Sequence, residues 1–127
     1  MTGVRPLVRA ASAPIATARV AAWTWSEARR LPELLRHRGM AAVDTIRRAP
    51  AVPAGHRSTV TVVLRLAGAN CLERSAILQR WETDHDGGRP LVVGVARDSE
   101  GEIAAHAWLE GEQDGDGYLS LHHRPQA

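Results

Sequence analysis

The sequence predicts an α+β domain, with helices over the first two thirds and a small antiparallel sheet at the end. Three observations carry this. Apolar residues recur at helical spacing among alanines and arginines from residue 14 to 38. A helix-start signature stands at Asn70, with Glu73 three residues on. After residue 90, three short apolar runs are separated by turns rich in Gly and Asp.

Residues 14–38 read as helix through Val20, Trp23, Leu31, Leu34 and Leu35, with Pro32 either breaking the run or opening a second helix. Gly39 marks a stop, and "MAAVDTIRRA" is a further short helix candidate. "PAVPAGHR", 50–57, is a Pro/Gly connector. "STVTVVLRL", 58–66, has the β-branched residues of a strand in a position that suits a helix equally well, and both readings stand. From Asn70 to about His85 the chain is helix, ended by "DGGRP". "LVVGVA" is a strand, "DSEGE" a hairpin loop, "IAAHAWLEG" a second strand, "EQDGDG" a turn and "YLSLHH" a third strand. The organisation is therefore a basic helical region over 1–49, a connector over 50–57 and an α+β core over 58–127.

The chain's 127 residues bury one core and not two. Hydrophobic and charged contents of 44% and 24% are those of a soluble globular protein. A single cysteine excludes an intramolecular disulfide framework and fits a reducing compartment. No apolar run approaches the ~18 residues of a membrane span. The N-terminal arginines and alanines loosely resemble a signal peptide, but Arg19 interrupts the run, and the expected location is cytoplasmic. All 16 basic residues are Arg. Residues 1–65 carry 11 of them against Glu27, Glu33 and Asp44, a balance of +8; residues 66–127 carry 5 against 11 acids, a balance of −6. That asymmetry suits either two surfaces with different partners or two solvated faces. The basic half has few aromatics beyond Trp23 and Trp25, which argues against a nucleic-acid partner.

If Asn70 caps, the lone Cys71 occupies the first helical position. Unpaired backbone N–H groups and the helix dipole favour negative charge there, and the thiolate is the reactive form of cysteine. Such a nucleophile needs a base, and histidine suits the role. Of six histidines, His37, His56 and His85 fall in helix, linker and turn, and His122 and His123 lie near the end. Only His106 stands in the middle of an apolar strand.

"NCLERSAILQRW", followed 35 residues after Cys71 by "AHAWLE" with "LVVGV" between, resembles the lasso-peptide leader peptidases, the transglutaminase-like B proteins of lasso-peptide biosynthesis. The match covers about residues 60–123. The resemblance implies a papain/transglutaminase-like core, with Cys71 as nucleophile on a helix N-terminus and His106 as general base on a facing strand. It implies a cysteine peptidase that cleaves the leader from a ribosomally made precursor, presented by a separate leader-recognition protein, before a separate lasso cyclase closes the ring. The cyclase is a further candidate partner. No cofactor and no metal is implied, and Cys71 and His106 lack the paired spacing of a structural zinc site.

The family's third residue is an acid on the strand after the histidine, orienting the imidazole. Glu110 shares a strand face with His106 but lies about 13 Å along it, too far to touch the ring. In a regular hairpin between the second and third strands, His106 pairs with about His123, and Ser120, His122 and His123 come nearest. Asp114 and Asp116 then lie beyond reach, unless a bulge shifts the register. Asp116 is the nominee, with Asp114, Ser120 or no third residue as alternatives; a solvated turn accounts for "DGDG" equally well, and it lacks the flanking ligands of a calcium loop. The backbone N–H of Cys71 is the expected oxyanion donor, and no glutamine precedes Cys71 to serve as a second. Trp108 either walls the site or packs in the core, as Trp81 does. Two other functions stay open. One is transfer of the acyl group to an amine, as transglutaminases do; the other is a degenerate peptide-binding module.

Overall fold

The computed structural model describes residues 4–85, 87–97, 99–112 and 119–124. It is α+β. Helix α1 spans Val4–Arg38, a 3-10 helix spans Gly39–Thr45, α2 spans Arg57–Leu66 and α3 spans Cys71–His85. Strands β1 (Leu91–Arg97), β2 (Ile103–Leu109) and β3 (Leu119–Arg124) form one antiparallel sheet in the order β2-β1-β3.

Helix α1 continues unbroken across Pro32 and starts well before residue 14, so neither the expected break nor a second helix opens there. Proline removes one helical hydrogen bond, a cost of about 3 kcal/mol in an isolated helix interior. Here Ala28 and Leu31 are buried, and Leu34 and Leu35 pack on the core, so tertiary contacts carry the helix across the gap. The stop at Gly39 is observed, at φ +59, a conformation that glycine adopts without a Cβ penalty. The predicted short helix after it is the 3-10 segment. Buried Glu27 fastens this segment to α1: its carboxylate accepts hydrogen bonds from Arg30 and from the Arg47 N–H, and Arg30 also donates to the Thr45 carbonyl at 2.7 Å.

The ambiguous run 58–66 is helix α2. Its β-branched residues yield to packing, since Val60 and Leu64, one turn apart, are both fully buried beside α1. The core joins Val20, Leu31, Val60, Leu64, Ile77, Leu78 and Trp81 from the helices to Leu91, Ala107 and Leu109 from the sheet.

The sheet order corrects an expectation. The third strand does not form a hairpin with the second; it pairs with β1, with Gly94 opposite both His106 and Ser120. The strand with the unbroken apolar run, "LVVGVA", takes the middle, where both its edges are hydrogen-bonded, and β2 is left at the edge. The register against β3 shifts between Val93 and Gly94, where Leu121 is the extra residue on β3, so the irregularity lies in the β1–β3 ladder and not in a hairpin joining β2 to β3.

Candidate active site

The start of α3 is built as its sequence spelled it. The Asn70 side-chain oxygen accepts the Glu73 N–H at 2.9 Å, and the Glu73 carboxylate accepts the Asn70 N–H at 3.2 Å, a reciprocal capping box. Cys71 is therefore the first helical residue, half-buried with its thiol as a free cysteine. The box satisfies the N–H of the third helical residue and leaves those of Cys71 and Leu72 outside the helical ladder, the donors an oxyanion needs. It also brings in an opposing charge: Glu73 is buried at the same helix end, so the positive end of the dipole is shared between this carboxylate and any thiolate.

One turn along α3, buried Ser75 donates its hydroxyl to the Ala107 carbonyl at 3.3 Å. The Glu110 N–H bonds the Pro90 carbonyl at 2.9 Å, so even-numbered residues of β2 turn their backbone inward to β1 and odd-numbered ones turn it outward. Ala107 is odd, and Ser75 thus meets the open edge of β2. At Leu109 the outward N–H is taken by the Glu112 carboxylate at 2.7 Å, and Arg74 of α3 pairs with the same Glu112 at 3.4 Å. Helix α3 and Glu112 together cover the far half of this edge.

His106 lies on β2, the strand that α3 packs against, next to Ala107. Its ring stacks on that of Trp108, centroids 5.9 Å apart, and Trp108 is buried. The strand's alternation separates this pair from the core: Ala107 and Leu109 join the helix-side cluster, and His106 and Trp108 belong to the other face. Among the described residues no hydrogen bond joins the Cys71 thiol to the His106 ring. Among the described residues no further strand stands outside β2, and Ser75 of α3 reaches that edge. The structure thus brings the two residues to adjoining stretches, one turn before Ser75 and one residue before Ala107, without joining their side chains.

The nominated Asp116, and Asp114 with it, fall outside the described residues. Ser120 is two strands from His106, about 10 Å across the ladder, so it is not the ladder neighbour that the hairpin would have made it. His122 and His123 pair with Val93 and Val92 and move away with it. Glu110 sits beyond the end of β2, where its backbone pairs with Pro90. Sequence reasoning missed Ser75 and Glu112; their signal was the i, i+4 spacing from Cys71 and an acid three residues beyond Leu109.

At the other end of α3, buried Glu82 accepts hydrogen bonds from both Arg89 and Arg57. Burial pushes its carboxyl up, but the hydrogen bonds and charges of the two guanidiniums outweigh burial and hold it below the usual carboxylate range. Trp81 is buried in the core as expected, beside Trp23 at 6.0 Å and stacked on His85 at 3.9 Å. His85 donates from Nε2 to the Pro50 carbonyl at 3.0 Å.

Among the described residues, no group of His, Cys, Asp and Glu is arranged to hold a metal ion, and no helix is long and apolar enough to cross a membrane. No family model, no curated protein and no solved structure matches the chain.

Proposed function

We propose that the chain is a cysteine peptidase with a papain/transglutaminase-like core, acting in a reducing, cytoplasmic setting on the leader of a lasso-peptide precursor. The observation that carries this reading is the start of α3: a lone thiol at the first position of a capped helix, beside the edge of the strand that holds His106. In the reaction the Cys71 thiolate attacks the scissile carbonyl, and the C–S bond forms as the oxyanion takes the N–H groups of the helix start. Collapse breaks the C–N bond, and His106 passes its proton to the leaving amine. His106 then takes a proton from water, which attacks the thioester and releases the acid and the free thiol. The presenting partner is a separate leader-recognition protein, and the lasso cyclase is the next user of the product. Asp116 remains the nominee for orienting the imidazole.

A second reading draws on the alternation of β2. With His106 on the face away from the core and no hydrogen bond to Cys71, the same fold serves as a peptide-binding module. Transfer of the acyl group to an amine keeps the same nucleophile and differs only in the acceptor. A mass-spectrometric assay separates the three. Wild type and Cys71→Ala are incubated with a lasso precursor and its recognition protein. Leader and core fragments from wild type alone support the peptidase. Intact, bound precursor with both proteins supports the binding module, and an amine adduct supports transfer.

A further inference from the structure

A cavity of about 250 Å³ opens at the C-terminal end of α3, lined by Val52, Ala54, Gly55, His56, Arg57, Trp81 and His85. It lies ten to fourteen residues along the helix from Cys71; the last of these, His85, is about 21 Å away at the helical rise, so the cavity is no part of the candidate active site. One wall is apolar and fixed: Trp81 is buried, and His85 is pinned between its stack on Trp81 and its bond to Pro50. The other wall is polar and cationic. Arg57 spends Nε and Nη2 on Glu82, and among the described residues its Nη1 edge has no acceptor. Glu82 is shared with Arg89, so one carboxylate is set against two guanidiniums and the cluster keeps a single net positive charge. The half-buried His56 ring lines the cavity with no hydrogen bond to another described residue, which leaves its N–H to a ligand.

We infer that this cavity binds a carboxylate carried on an aromatic or branched apolar stem. The carboxylate matches the single excess charge and the spare donors of Arg57 and His56, and the stem matches Val52 and the Trp81–His85 wall. The volume suits one side chain or one small acid and nothing larger. This inference is independent of peptidase activity and survives its failure.

The test is a titration of the full chain with sodium benzoate, as a free small acid, and with N-acetylphenylalanine, as a peptide-like terminus. Histidine side-chain NMR resonances are followed, with neutral benzamide as control. The expected result is saturable movement of the His56 and His85 signals with the acids and none with benzamide. Tighter binding of N-acetylphenylalanine assigns a peptide terminus, and tighter binding of benzoate a free acid. His56→Ala should weaken binding about tenfold, the worth of one hydrogen bond to a charged group. Ala54→Phe, from the exposed rim, should block the cavity without touching the Glu82 cluster. Linear, non-saturating shifts with both acids, or equal shifts with benzamide, overturn the inference.

Discussion

The two ends of helix α3 are held in different ways. At its C-terminal end four side chains are tied to other segments: Glu82 to Arg57 and Arg89, Asp84 to the Ala49 N–H, Gln79 to the Arg89 carbonyl and His85 to Pro50. Its N-terminal end is held by its own capping box, by Ser75 on the β2 edge and by the Arg74–Glu112 pair. One end is a structural joint that links the connector, both helical segments and the start of the sheet. The other keeps a half-buried thiol beside two backbone N–H groups that lie outside the helical ladder, which gives chemistry room to occur.

The comparison can be broken by substitution, end by end. The largest effect falls at the thiol end. His106→Gln should lower leader cleavage by about 10²- to 10⁴-fold, the usual worth of a general base, with thermal stability little changed. A full loss of fold would instead make His106 a packing residue beside Trp108. Next is Glu82→Gln, which leaves two guanidiniums facing a neutral amide; about 2 kcal/mol of stability should go, read by urea unfolding, because both arginines keep some solvent. The rate of Cys71 alkylation by iodoacetamide should stay at the wild-type value in this variant, and a parallel fall would show that the two ends are coupled.

The same joint has a pH signature. Glu82 titrates lower in the folded chain than its ordinary value of 4.5, so its contribution is present in full above that value and is lost as pH falls through the lower folded value. Wild type should therefore lose stability on acidification below about 4.5, and Glu82→Gln should lose less over the same range. Equal slopes for the two proteins would assign the acid sensitivity to other carboxylates. The smallest effect is at the cap. Asn70→Ala should cost about 1 kcal/mol and slow Cys71 alkylation, since fraying moves the thiol away from the helix dipole.

How much of this was legible in the sequence follows the range of each interaction. The capping box was readable because Asn70 and Glu73 are three residues apart and answer each other. Gly39 was readable because a positive φ leaves few other choices. Helix α2 was not, because its Val and Thr residues favour a strand locally and only burial of Val60 and Leu64 against α1 decides otherwise. The strand order was missed because adjacency along the chain favours a hairpin, whereas the apolar run of β1 claims the middle of the sheet. The separation of His106 from the core face depends on which parity of β2 meets the helices, and Ala105–Leu109 alone does not fix it. The triad of Arg57, Glu82 and Arg89 joins two helices and the loop before β1 and leaves no local pattern.

The covering of the β2 edge has a consequence for how copies of this chain meet one another. An open strand edge is a template on which a second molecule can add a strand and begin a growing sheet. Ser75 and Glu112 occupy the outward carbonyl and N–H of the far half, and Arg74 braces the plug. Among the described residues, the outward groups of Ile103 and Ala105 and the Ala107 N–H remain for pairing, too few to align a whole strand of seven residues. Strand addition along β2 should therefore be resisted for as long as that plug is in place, which leaves β3, the other edge of the sheet, as the side where copies could pair.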